Sequence, residues 1–294
     1  MSLFGPKTLG LALGSGAARG FAHIGVLKVL EAEGLAPDVI SGTSMGAAIG
    51  AFYAAGYDVE EIERIALAFD MRQLAGVGDV ALSKGAILSG EKLEDFLRAN
   101  LPATFEELRM PFGCVATDLT RSCPVQLTAG DLITAVRASM SVPLVFLPVR
   151  TGGMLLVDGE ITDPVPVGLA RSLGGKAVVG VEVCGSGCVN LHENGNGNGR
   201  GFMRDLRAAM RGEPWGGRGD GPLEVVAAAY ETLSREAAQL SLGDADVIIS
   251  PEVHSRASFE MLQGASIIAA GEEAARRSVA EIRRRARRPQ PVAV

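Results

Sequence analysis

Residues 39–56, Val-Ile-Ser-Gly-Thr-Ser-Met-Gly-Ala-Ala-Ile-Gly-Ala-Phe-Tyr-Ala-Ala-Gly, constrain the chain more than any other stretch, because their character changes at one serine. Pro37 and Asp38 lead into the β-branched pair Val39 and Ile40, which predicts a strand. From Met45 onward small and apolar residues run unbroken to Gly56, which predicts a helix with a glycine C-cap. Ser44 lies on the turn between them. Gly42-Thr43-Ser44-Met45-Gly46 is a G-x-S-x-G sequence: a side chain presented on a sharp strand-to-helix turn needs neighbours without a Cβ, so that the backbone can fold tightly beneath it. The turn leaves the hydroxyl at a helix N-terminus, where free amides and the helix dipole favour an alkoxide or a developing oxyanion. Taken alone, the pentapeptide is equally compatible with a Gly/Ser turn that caps a buried helix.

A second small-residue loop precedes it. A strand over 8–13 runs into Gly14-Ser15-Gly16-Ala17-Ala18-Arg19-Gly20, and a helical pattern follows over 21–33, stopped by Gly34. Such a loop presents consecutive N–H groups to an anion, as a dinucleotide phosphate cradle or as an oxyanion hole. A dinucleotide fold wants Gly-x-Gly-x-x-Gly and an acidic residue about 20 residues on. Here Gly16 and Gly20 have the wrong spacing, and the second strand ends in Ser41-Gly42-Thr43-Ser44 instead of an acid.

Further along, the pattern predicts helices over 59–69 and 91–100, the latter capped by Ser89, a strand over 112–117 and a helix over 131–138. Ser139-Met140-Ser141-Val142-Pro143 breaks that helix before an apolar run over 144–149. A strand over 154–157 then stops at Asp158-Gly159-Glu160. An aspartate at the end of a buried strand can point into a site at the sheet edge, although Asp-Gly pairs also make plain turns. A helix over 164–173, strands over 177–183 and 247–249, and helices over 223–240 and 259–288 complete the reading. Strands alternating with helices predict an α/β fold.

With 294 residues, 47% of them hydrophobic, the chain can bury a full core. A formal charge of −6 and a pI near 5.3 argue against nucleic acid as a partner. The first residues lack a secretory pattern and the apolar runs are interrupted by charge or proline, so the expectation is a cytoplasmic protein whose four cysteines stay reduced. Residues 185–222 are rich in Gly and Asn and predict a flexible insertion. Within it, segment 200–211 sets Arg200, Arg204, Arg207 and Arg211 against Phe202, Met203, Leu206 and Met210. That segment suits peripheral contact with an anionic membrane surface or a lid, and equally a solvated helix. Residues 1–285 are expected to form one domain and 286–294 a disordered tail. Cys184, Cys188 and His192 lack a fourth ligand and a rigid frame, so no metal or other cofactor is expected.

Together these blocks resemble the patatin-like phospholipase family, from Leu9 to about Ala275 apart from the Gly/Asn insertion. Gly14 to Gly20 is similar to that family's oxyanion loop, including a basic residue at Arg19. Gly42 to Gly46 is similar to its nucleophile elbow, and Asp158-Gly159 to its catalytic Asp-Gly pair; the segments 137–143 and 163–167 also match in order and place. Ser15 and Ala17 stand where the family has more glycine, and Glu160 stands where it has a small residue. The resemblance implies a three-layer α/β/α fold around a mainly parallel sheet with a nucleophile elbow. It also implies a serine acyl hydrolase acting on lipid or phospholipid esters without a cofactor.

What the resemblance implies for the site is a Ser-Asp dyad. Ser44 would attack the ester carbonyl while Asp158 takes its proton, and amides of Gly16, Ala17 and Met45, in a loop that also includes Ser15 and Arg19, would hold the oxyanion. Gly42, Gly46 and Gly159 would allow the tight turns. Histidine is scarce, with only His23, His192 and His254. His23 reads as a structural residue, whereas His254 follows Ser44 and Asp158 in the chain order of an α/β-hydrolase triad and supplies a rival. A regulatory or lipid-binding protein of the same fold and an acyltransferase also fit the sequence, which leaves head group, acyl length and oligomeric state open.

Overall fold

Strands whose residues are all apolar or small need cover on both faces, and the helices between them supply it. The computed structural model describes residues 8–68, 88–184, 222–253 and 264–287, without the side chains of 222–228 and 231. The expected insertion at 185–222 lies outside these residues except for Pro222, which begins a helix, and of the expected tail at 286–294 Ala286 still belongs to the last helix while 288–294 lie outside. β1 (Leu9–Leu13) leads through a 3-10 turn, Ala17–Phe21, into α1 (Ala22–Ala32). β2 (Val39–Thr43) passes at Ser44 into α2 (Met45–Ala55), which Gly56 ends in the left-handed conformation, and α3 (Val59–Ala68) follows. Then come α4 (Glu91–Asn100), β3 (Phe112–Asp118), β4 (Cys123–Leu127) and α5 (Leu132–Ser139). β5 (Val149–Thr151), β6 (Met154–Asp158), α6 (Val167–Ser172) and β7 (Ala177–Val181) precede α7 (Pro222–Leu242), β8 (Val247–Ile249) and α8 (Gly264–Ala286).

The strands form one sheet in the order β5-β6-β3-β2-β1-β7-β8, with β4 on the other edge of β3. β3-β2-β1-β7-β8 are parallel neighbours, whereas β4, β6 and β5 join antiparallel. Side chains alternate between two cores. Leu9, Leu11 and Leu13 of β1 and Val179 and Val181 of β7 enter the larger one, with α1, α2 and α8. Ala12 and Val178 face the smaller one, with Val165, Val167 and Ala170, and Leu242 of α7 packs on it. The result is an α/β/α sandwich. α1 and α8 touch backbone to backbone: a Cβ on Gly25 would strike Ile268 O, and one on Gly271 would strike Ala22 O. Arg283 closes that pair by bonding Glu33 through its carbonyl oxygen (2.8 Å) and its carboxylate (3.1 Å).

Several elements differ from the sequence expectation. The helix over 164–173 forms only from Val167, because Pro166 sits at φ −78°, ψ 63° and the Pro164 carbonyl serves a partner outside the helix, while Pro166 O accepts both the Ala170 N–H and a distant hydroxyl. Pro164 O accepts Ser15 N–H at 2.9 Å and Pro166 O accepts the Ser41 hydroxyl at 2.7 Å. The apolar run over 144–149 is turned at Leu144, which has φ 69°, and only Val149 joins a strand. The N-cap of α4 is Gly90, with Ser89 Oγ still accepting Glu91 N–H at 3.2 Å. β4 was not foreseen; it is an edge strand that carries Pro124, as edge strands can.

Candidate active site

β3 brings the two ends of the site together. Its first half pairs with β2 and its second half with β6, so the neighbouring residues Val115 and Ala116 are partnered by Thr43 and Asp158. β6, running antiparallel, ends where β2 ends, and Ser44 and Asp158 both project from that junction. Ser44 is 5% exposed and Asp158 fully buried.

Ser44 has φ 56° and ψ −119°, a strained conformation for a residue with a Cβ, costing on the order of 1–3 kcal/mol. The glycines on either side make it possible. A Cβ on Gly42 would strike Gly46 O, and a Cβ on Gly46 would strike Leu13 O and Gly14 O, so the elbow folds on itself and against the end of β1. Gly159 does the same on the aspartate side, with Val115 O where its Cβ would be. The Ser44 N–H donates to Ser139 Oγ at 3.0 Å, and Ser139 donates to Val115 O at 2.7 Å. Asp158 N–H donates to Ser141 O at 3.0 Å, and Thr117 Oγ1 donates to Asp158 O at 2.9 Å.

Burial first, and then the charge of Glu160, push the Asp158 carboxyl well above the usual aspartate range; hydrogen bonds from Ser44 and from Glu160 N–H act the other way. The Glu160 N–H donates to Asp158 Oδ1 at 2.9 Å. Ser44 is near enough to act on the carboxyl as a donor, yet the contact falls short of ordinary hydrogen-bond geometry and leaves Oδ2 without a partner. Such contacts often tighten only when substrate binds.

The Gly14–Gly20 loop lies against the elbow: a Cβ on Gly20 would collide with Met45. Several of its amides are already engaged within the fold. Gly14 N–H donates to Val181 O at 3.0 Å, Ser15 N–H to Pro164 O at 2.9 Å and Arg19 N–H to Gly16 O at 3.1 Å. Among the described residues the N–H groups of Gly16, Ala17 and Met45 have no acceptor, with Ala17 at φ 50° and Met45 at the first position of α2. Ser15 and Arg19 contribute side chains: Ser15 Oγ lies 3.8 Å from Cys184 Sγ, and Arg19 Nη1 donates to Cys184 O at 3.4 Å. His23 sits beneath the loop, fully buried, 2.7 Å from Gly14 O through Nε2. A carbonyl only accepts, so Nε2 carries the proton; burial lowers the ring's pKa to about 4 and keeps it neutral.

Sequence reasoning assigned no role to Ser139, Ser141 or Arg137. Arg137 is buried, stacks on the Phe146 ring at 5.1 Å and donates to Ser89 O (2.9 Å), Gly90 O (3.2 Å), Leu147 O (3.2 Å) and Ser141 Oγ (2.5 Å). An arginine inside an otherwise apolar helix pattern, followed by Ser-x-Ser, was the available signal. Cys184, Tyr230 and Glu160 form a further cluster beside the aspartate. His254, His192 and Cys188 lie outside the described residues. Among the described residues no group of three or more His, Cys, Asp or Glu side chains could hold a metal ion, and no helix is long and apolar enough to cross a membrane.

Comparison with known proteins bears on the same region. An uncharacterised NTE family protein of Mycobacterium tuberculosis is 38% identical over 177 residues, 60% of this chain and 49% of its own length. Human patatin-like phospholipase domain-containing protein 6 is 34% identical over 183 residues, covering 60% of this chain and 13% of its own. Lysophospholipase NTE1 of Pyricularia oryzae is 33% identical over 182 residues, 60% and 12% of the two chains. The chain thus spans about half the length of the mycobacterial relative and a small part of the others. Of solved structures, VipD of Legionella pneumophila superposes with a TM-score of 0.55 over 94% of this chain and 67% of its own, at 15% identity, which is a likeness of fold. The profile of the patatin-like phospholipase family matches residues 11–171, the segment that holds both the elbow and Asp158, and the chain belongs to that family.

Proposed function

We propose that this chain is a serine acyl hydrolase that cleaves carboxylic esters of lipids, with Ser44 as nucleophile and Asp158 as its base. The observation that carries the reading is the register along β3, which sets a strained elbow serine beside a buried, unpaired carboxylate oxygen. In acylation Ser44 Oγ attacks the ester carbonyl and its proton passes to Asp158. The carbonyl oxygen becomes an oxyanion held by the amides of Gly16, Ala17 and Met45, and the alcohol leaves with the proton. Water then attacks the acyl-serine, giving a proton through Asp158 back to Ser44 and releasing the fatty acid. Family membership and a relative named lysophospholipase support lipid esters as the substrate class, lysophospholipids included. We place the reaction at a cytoplasmic membrane surface, with the basic segment 200–211 as the contact.

The test is hydrolysis of a short-chain p-nitrophenyl ester and of a lysophospholipid by wild type, Ser44→Ala, Asp158→Asn and His254→Ala, with fluorophosphonate labelling alongside. Ser44→Ala and Asp158→Asn should each lose at least about 10³-fold in kcat, and Ser44→Ala should also lose the label. An equally inactive His254→Ala would replace the dyad by a triad.

A further inference from the structure

The dyad uses the backbone of Glu160, through the N–H that donates to Asp158 Oδ1, and leaves its carboxylate without a role. That carboxylate is held from two sides. The Tyr230 hydroxyl, from α7, donates to Oε2 at 3.5 Å, and Cys184 Sγ, from the segment after β7, lies 3.8 Å from Oε1, its one proton shared between that oxygen and Ser15 O at 3.2 Å. Both donors are uncharged in the working range: burial pushes the thiol up to about 12 and the phenol well above its usual value. Both therefore reach the carboxylate as uncharged groups.

The groups facing this pair among the described residues can be named element by element. Ser44 comes from the elbow and Asp158 from the end of β6. Cys184 comes from beyond β7, with Arg19 and Glu182 acting on it, and Tyr230 comes from α7. Arg19 reaches the carbonyl oxygen and the thiol of Cys184, at 3.4 and 3.9 Å, so its charge acts on the cysteine. Two carboxylates thus stand on one short turn, Asp158 and Glu160, and the charge of the second acts on the first.

Resting on the Ser44–Asp158 reading above, we propose that Glu160 is a positioning residue: fixed by Tyr230 and Cys184 beside Asp158, its carboxylate strengthens Asp158 as the base that takes the Ser44 proton. A lone aspartate is a poor base near neutral pH, and a general base works best when its proton affinity approaches the working pH. A neighbouring like charge moves it that way. The two carboxyls then titrate as a pair, and the active form is the one in which Asp158 has given up its proton.

The experiment is the pH profile of kcat/KM for wild type, Glu160→Gln and Tyr230→Phe, with Asp158→Asn as reference. Glu160→Gln should move the acid limb to lower pH by about one unit and reduce the plateau several-fold, with kcat changing more than KM. Tyr230→Phe weakens the hold on the Glu160 anion, so the shared proton moves toward Glu160 and the limb shifts the same way by less. A Glu160→Gln enzyme that is slower with an unmoved limb overturns the proposal, because a merely structural role has that signature. If Glu160→Gln fails to fold, Tyr230→Phe decides, and an unmoved limb there overturns it. An active Asp158→Asn enzyme would instead sink the dyad itself.

Discussion

The hydroxyl of Ser139 both accepts the Ser44 N–H and donates to Val115 O, so one side chain ties the strained elbow to the strand beneath it. Ser139→Ala leaves a buried N–H without a partner. Urea unfolding should report a loss of about 1–3 kcal/mol, and ester hydrolysis a fall in kcat larger than any change in KM. His23 makes the same kind of link to the Gly14–Gly20 loop, and it adds a pH dependence. Its folded pKa of about 4 lies below the ordinary 6.5. The unfolded chain therefore binds the proton first, and stability present above pH 6.5 is lost as pH falls through that value toward 4. The full difference is on the order of 3 kcal/mol. Asp158, raised in the folded state, works in the opposite sense, so the variant His23→Gln is what isolates the histidine. Its loss of stability between pH 7 and 4.5 should be smaller than that of wild type by about 2–3 kcal/mol, measured by urea unfolding at both values.

At the level of elements, α1 and α8 approach so closely that Gly25 and Gly271 each abut the other helix's backbone. Gly271→Ala would ordinarily favour a helix, yet here it should cost about 1–3 kcal/mol and lower Tm by several degrees in calorimetry, because backbone cannot swing aside. The helices α2 and α4 and the central strands could be read from sequence, since their apolar periodicity and breakers are local. β4 could not, because Pro124 interrupts an alternating pattern on an edge that tolerates it. Nor could the late start of α6, where prolines serve Ser15 and Ser41 far away in the chain. The site divides along the same line. Ser44 and Asp158 stand in short motifs whose spacing carries a physical reason, whereas Ser139, His23, Cys184 and Tyr230 take their places through contacts between distant segments, which no local pattern encodes.

Across the whole molecule, the sheet is covered on both faces, and α8 supplies much of one cover: Ile267, Ile268, Ala274, Ala275 and Ile282 are buried in the larger core. A chain ended at residue 263 should therefore lose cooperative thermal unfolding and bind a hydrophobic dye at 25 °C, whereas a chain ended at 287 should melt as wild type does. The pairing of β3 with β2 along one half and β6 along the other has a consequence for what this architecture can absorb. Added chain in the exposed β3–β4 turn, residues 119–122, changes only a detour and leaves the Ser44–Asp158 junction untouched. One residue added between Val115 and Ala116 would open that junction by about 3.3 Å and reverse which side of the sheet each following side chain faces. The spacing within β3 is the dimension that the Ser44–Asp158 pair leaves least free to drift.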